Sequence, residues 1–328
     1  KAIKLACIVA ILSDFILFYT QNFLTHLCGE FFLGSAAGIY WPSAELAIPL
    51  NCNNQIKSNE GYSLARSADA IGVTLGTFLG TIGSHIEFTK IIYLVDIFCM
   101  LYIFNILLNK KVIFKFEKEL KIMDNKKIKY EDSEKRQHPK WIVKLIPLFL
   151  ITLFLTGVMS LLQSILPLDL ANGGIARQPF TEQRVATLLT IKLILLAIFQ
   201  WPIGYILRDK NSPYKFRLCL ISLLLGFIFL SISNLVNNGY FLILIAFIPL
   251  TISICIFLPS ASDAIIRSSP TKYHGTAIAL YSQCFGISSL LLPWLAGKLI
   301  DNFDTAFQLW LIIILISIAL VPISKDIK

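Results

Sequence analysis

Charge is scarce in this chain. Asp, Glu, Lys and Arg make up 15% of 328 residues against 56% for the apolar types, and the mean hydropathy is +0.71. A soluble core of this length cannot bury so much apolar surface, so a water-soluble globular protein is excluded. Histidine is rarer still: His26, His85, His138 and His274 lie scattered near loops and make no metal set. The seven cysteines, at 7, 28, 52, 99, 219, 255 and 284, have no C-x-x-C spacing and sit in or beside apolar runs. They read as small packing residues rather than disulfide partners or metal ligands. A G-x-x-x-x-G-K-S/T loop, an H-E-x-x-H helix and a nucleophile elbow are all missing, which argues against an ATP-driven pump or an intramembrane enzyme. No cofactor is implied. No secretory signal is found either, and a chain opening on Lys1 rather than Met reads as one whose native start lies elsewhere.

What the chain has instead is length of apolar sequence. Ten stretches can cross about 30 Å of hydrocarbon as helix: 3–21, 24–48, 64–86, 90–109, 142–168, 185–207, 216–236, 239–265, 275–298 and 305–323. Their apolar residues run on without period-two alternation, which points to helices and not to a barrel. The expected class is an all-α membrane protein.

The net charge of +9 is distributed in a way that argues against a nucleic-acid partner. Basic residues crowd alternate connections: Lys1 and Lys4, Lys57, the stretch from Lys110 to Lys140, then Arg208, Lys210, Lys215 and Arg217, then Arg267 and Lys272, and finally Lys325 and Lys328. The other connections carry mainly Asn, Gln, Gly and acids, with Lys90, Arg177, Arg184 and Lys298 as exceptions. The positive-inside rule then places both chain ends in the cytoplasm, a parity that ten spans satisfy. The expected partner is the lipid bilayer, in the plasma (inner) membrane. Residues 110–140 form one polar, basic linker, whose stretch 113–120 could make a short amphipathic helix on the inner leaflet. A solvated loop and a regulatory docking segment both remain open readings of it.

The chain also repeats itself. Trp41-Pro42-Ser43-Ala44-Glu45-Leu46-Ala47-Ile48 returns 217 residues later as Leu258-Pro259-Ser260-Ala261-Ser262-Asp263-Ala264-Ile265. At an offset of 214, Gly61, Ala65, Gly72, Gly83 and Ile86 meet Gly275, Ala279, Gly286, Gly297 and Ile300. The first four spans thus map onto the last four, while 142–168 and 185–207 have no counterpart. Same-direction repeats of this kind build two-lobed transporters, and the unmatched pair implies a full protein of six plus six helices, two of them missing in front. The expected domains are a lobe at 1–109, the linker at 110–140 and a second lobe at 141–328.

In these motifs the chain resembles the major facilitator superfamily (MFS) over nearly its whole length, as that fold's third to twelfth helices. The run Leu33-Gly34-Ser35-Ala36-Ala37-Gly38-Ile39-Tyr40-Trp41-Pro42 is similar to the family's fourth-helix pattern. Gly72, Gly76, Gly80 and Gly83 resemble its fifth-helix glycine motif, associated with antiporters. Gly204-Tyr205-Ile206-Leu207-Arg208-Asp209, with Lys215 and Arg217, is similar to its basic loop between helices eight and nine. The chain departs from the pattern as well: Glu30 stands where an arginine often precedes the fourth-helix glycines, Thr77 and Thr81 replace residues of the fifth-helix motif, and Asp209 follows Gly204 by five residues instead of four. The resemblance implies an MFS-type two-lobe helical bundle, with ten transmembrane helices present of a presumed twelve.

Ionisable residues within spans cost about 2.5–3.5 kcal/mol on insertion scales, so each is a functional candidate. Lys192 with Gln200 and Trp201 falls roughly on one face of its span, which the resemblance sets beside a central cavity; together they suit a polar, anionic solute. The competing reading has Lys192 reaching the headgroups or pairing with Asp96 or Asp169. Gln163, Gln283 and Tyr40 complete the substrate-contact candidates. Arg66 and Asp69 can pair along one helix; Glu45, and Asp263 with Arg267, are gate candidates. Glu30 reads either as a proton carrier or as a hydrated helix cap. Asp14 reads as buried and paired. Gly72, Gly76, Gly80, Gly83, Gly286 and Gly297 are expected to pack helices closely, for stability, lobe movement or both. A secondary transporter of a small organic solute, antiporter-like and coupled to a proton or ion, is the leading reading; a non-transporting relative serving as receptor or as pigment or lipid carrier is the alternative.

Overall fold

The computed structural model describes residues 2–52, 58–85, 88, 90–108 and 140–326. Most of the linker, including the stretch 113–120 for which a short helix is an open reading, lies outside the described residues. Among the described residues ten α-helices appear, one for each apolar stretch: α1 Ala2–Tyr19, α2 Phe23–Asn51, α3 Ser58–His85, α4 Ile91–Leu108, α5 Lys140–Asn172, α6 Glu182–Leu207, α7 Ser212–Asn234, α8 Tyr240–Ser268, α9 His274–Phe303 and α10 Phe307–Ile323. Seven of them are long and apolar enough to cross a membrane, by length and composition. Local chemistry sets several ends. Asn22 caps α2 by accepting the Thr25 N–H at 3.0 Å, and Asn211 accepts the Tyr214 N–H at 3.2 Å ahead of a proline in the first turn of α7. Asp304 closes α9 in the left-handed region, at φ 59°.

The chain divides into two compact units, residues 1–51 with 75–140, and residues 52–74 with 141–328. The first part of α3 therefore belongs with the second unit, whereas the sequence suggested a division at the linker alone. In the first unit α1 packs on both α2 and α4. Ser13 Oγ donates to the Gly29 carbonyl at 2.8 Å, and Gly29 leaves room for Leu17: a Cβ there would lie 2.5 Å from it. In the second unit α7 packs on α8 and α10, and α8 also meets α6 and α9. The pairing pattern repeats, since α1 with α2 and α4 corresponds to α7 with α8 and α10.

Helix α8 is the core of the second unit. Every residue from Ile254 to Ile265 is buried, so the helix is covered on all sides there. Polar residues are buried alongside apolar ones, among them Thr152, Thr156, Ser253, Ser260 and Ser262, while Phe23, Leu290 and Ile206 are among the large exposed side chains. Such an arrangement suits lipid, where apolar burial drives nothing and packing with interhelical hydrogen bonds holds helices together. Thr156 of α5 shows both: its hydroxyl accepts from Ser288 Oγ of α9 at 2.9 Å, and a Cβ on the adjacent Gly157 would collide with Leu292.

Candidate functional site: charged and polar groups within the helical units

One end of the second unit gathers the start of α3, the end of α6, the start of α7 and the end of α8. Arg208 is held there between Glu60 at 3.5 Å and Asp209 at 3.5 Å, with its guanidinium 4.2 Å above the Tyr205 ring, which in turn stacks on Trp201. The approach of α3 to α6 depends on Gly204, because any Cβ at that position would run into the Ser63 side chain. Asp263, 3% exposed, receives Arg267 Nε at 3.0 Å, and buried Lys215 lies within electrostatic reach of it. Cys52 borders the same cluster: burial, then the carboxylates of Asp263 and Glu60, push its thiol up from the ordinary cysteine range. On α3, Arg66 Nη1 meets Asp69 Oδ2 at 3.2 Å, the pairing their spacing suggested.

Helix α6 corrects one expectation. Lys192 and Gln200 do not share a wall: Lys192 Nζ donates to the Leu162 carbonyl of α5 at 2.9 Å, whereas Gln200, fully buried, donates through Nε2 to the Cys255 carbonyl of α8 at 3.2 Å. Eight residues at about 100° each leave the pair about 80° apart around the helix, enough to face different neighbours. The Cys255 acceptor has a local cause, since Pro259 lacks the N–H that would have bonded it. Gln200 is thus engaged as a buried donor to the α8 backbone. Trp201, Gln163, Gln283 and Tyr40 are exposed, the Tyr40 and Trp41 rings meeting edge to face with centroids 5.4 Å apart.

A buried ion pair that the sequence did not single out lies at the opposite end of this unit. Arg177 and Asp169 meet at 3.1 Å with both side chains completely buried. Arg177 also donates to the Asp169 carbonyl at 2.6 Å and to Ser233 Oγ at 3.1 Å, and Trp310 Nε1 donates to Asp169 Oδ2 at 3.3 Å. Four elements, α5, α7, α10 and the α5–α6 loop, converge on it. Two signals pointed here: Arg177 was an exception to the charge bias, and Gly173-Gly174 precede it. Gly173 adopts φ +90°, and a side chain on Gly174 would collide with Asn234.

In the first unit, Glu30 is half exposed on α2 with His26 Nε2 at 3.6 Å. Glu45 is buried within the same helix. Asp14 is buried as foreseen, yet its neighbour is another acid: its carboxyl lies within hydrogen-bonding reach of Asp96 on α4. The glycine stripe also departs from expectation. A Cβ at Gly72, Gly76, Gly286 or Gly297 would meet nothing within 4 Å, and one at Gly80 would make only an ordinary contact, at 3.6 Å from Ile92. Gly83 is buried and its carbonyl accepts the Phe88 N–H at 2.8 Å. Four-residue spacing sets glycines on one stripe without saying what the stripe faces. Close approaches between helices fall instead at glycines outside the stripe, among them Gly29, Gly157, Gly204 and Gly226.

A family model described as Major Facilitator Superfamily matches residues 2–293. Among solved structures, the fold is similar to a POT family transporter in complex with 5-aminolevulinic acid, at 12% identity over 98% of this chain and 80% of that one, with a TM-score of 0.71. The fucose:proton symporter of E. coli gives 13% identity, coverage of 100% and 83%, and a TM-score of 0.70. A human organic anion transporter gives 13%, 97% and 76%, and 0.65. Likeness at these identities is one of fold. No curated protein matches the chain.

Proposed function

The chain belongs to the major facilitator superfamily, whose members here are secondary transporters, and from that footing we propose that it moves a small organic anion by alternating access, as an antiporter. The observation carrying the substrate class is Lys192. Its ammonium sits within α6, is half-buried, bonds a backbone carbonyl and enters no ion pair among the described residues. A carbonyl dipole satisfies one donor but leaves the charge uncompensated, so an anion reaching this point would be favoured by the site's own electrostatics. Relatives of similar fold that handle 5-aminolevulinic acid, fucose with a proton, and organic anions support a small polar solute and a coupling proton. Glu60 with Arg208, and Asp263 with Arg267, act as a latch whose ion pairs favour one of the two access states. This arrangement operates in the plasma (inner) membrane with both chain ends cytoplasmic.

The test is uptake by the purified chain in liposomes, offered a panel of labelled organic anions, neutral sugars and organic cations. We expect uptake of at least one anion, at least tenfold lower in Lys192→Ala, with Lys192→Arg retaining part of it. Anion uptake unchanged in Lys192→Ala would remove the lysine from the site, and uptake confined to cations would overturn the substrate class.

A further inference from the structure

We propose that Asp14 and Asp96 form a one-proton binding site inside the first unit, between α1 and α4. The two carboxyl groups come from helices packed directly on each other, and they lie within hydrogen-bonding reach. Asp14 is 2% exposed, and its Oδ2 is buried with no hydrogen-bond partner among the described residues. Ionised carboxylates only accept; two of them in contact leave a pair of acceptors facing each other with no donor between them. With Asp14 out of water and Asp96 half-buried, like charges so placed do not both persist, and the missing donor is a proton. Hydronium from the aqueous phase supplies it: one of its O–H bonds breaks and leaves water, an O–H bond forms on one carboxyl, that hydrogen bonds the other carboxylate, and the net charge of the pair goes from −2 to −1.

The neighbouring charges do not supply a substitute. On α2 the titratable groups near this level are His26 and Glu30, which are half exposed and occupied with each other. Tyr93 of α4 lies within electrostatic reach of both Glu30 and Asp14, but it is neutral in its ordinary state. Lys90, just before α4, donates to the Phe18 carbonyl at 2.7 Å and the Thr20 carbonyl at 3.4 Å. Lys4 of α1 is ten residues from Asp14, about 15 Å along the helix. Glu45 of α2 is sixteen residues from Gly29, the residue that bonds Ser13, and so about 24 Å along its helix. The site lies in the first unit and Lys192 in the second. Its role as the coupling proton rests on the transport reading, while proton binding does not, and the two are measured separately.

The experiment is infrared spectroscopy of the full chain in liposomes at neutral pH, comparing wild type with Asp14→Asn and Asp96→Asn. An amide in place of either acid donates to the remaining carboxylate, so each variant keeps the contact without needing the proton. We expect a protonated-carboxyl band in the wild type that is lost in both variants. A band lost in only one variant would show an acid protonated alone, and a band lost in neither, or absent from the wild type, would show no shared proton; each overturns the proposal. Should a variant fail to fold, carbodiimide labelling of the wild type decides. The reagent adds intact to a protonated buried carboxyl, so peptide mass spectrometry should find one adduct, on Asp14 or Asp96, and an unlabelled pair would overturn the site. Either failure leaves the anion-uptake result untouched.

Discussion

Arg177 and Asp169 show what a single buried pair can hold. With both side chains at zero exposure, each charge depends on the other and on Ser233, Trp310 and backbone carbonyls for all its solvation. Removing one member strands its partner, and such losses run to about 3–5 kcal/mol. Arg177→Gln is therefore expected to lower the thermal unfolding temperature of the detergent-solubilised protein clearly, by more than the exposed substitution Arg184→Gln. A fluorescence or circular dichroism melt reads the difference. Equal melts would mean that the network contributes nothing net. The pair was half legible beforehand. An arginine on the wrong side of the charge bias was visible in the sequence, but its partner was eight residues away across a Gly-Gly turn, and no pattern rule links residues joined through a φ of +90°.

At the scale of elements, helix existence was plain and helix contact was not. Every apolar stretch became a helix because bilayer thickness demands a length that composition reveals directly. Which face meets which neighbour depends on small angular differences, as the separate acceptors of Lys192 and Gln200 show. The structure reverses the expected sensitivity of the glycines. Gly204→Ala drives a methyl into Ser63 and should cost about 1–3 kcal/mol of stability, the usual penalty of overpacking. Gly76→Ala meets open space and, at a helical position, should be neutral or slightly stabilising. Paired melts of the two variants check this, and a more harmful change at Gly76 would restore the original packing argument.

For the molecule as a whole, the internal repeat was the most informative sequence signal, and its packing counterpart is the recurrence of the α1 pattern in α7. The central linker and the joining of early α3 to the second unit were beyond that signal, since the repeat matches halves and says nothing of which half a boundary helix contacts. At this scale the Glu60–Arg208 pair, joining α3 to α6, offers a test of gating. The pair is partly exposed, so its contribution to stability is small, within about 1 kcal/mol. Its effect on transport should be larger: Glu60→Arg and Arg208→Glu are each expected to lower the initial uptake rate several-fold, and the double exchange to recover most of it. Failure of the double exchange to recover would show that the residues act separately.

The bond from Gln200 to Cys255 carries a mechanical meaning. A proline inside a helix ordinarily gives that helix a private hinge, because the freed carbonyl leaves one turn unbraced. In α8 the brace is supplied from outside, by a side chain of α6. Bending α8 at Pro259 therefore stretches a tether anchored in another helix, and α6 must follow or lose its only buried amide contact of that kind among the described residues. The joint has been traded for a linkage: two helices that could have flexed independently share one degree of freedom.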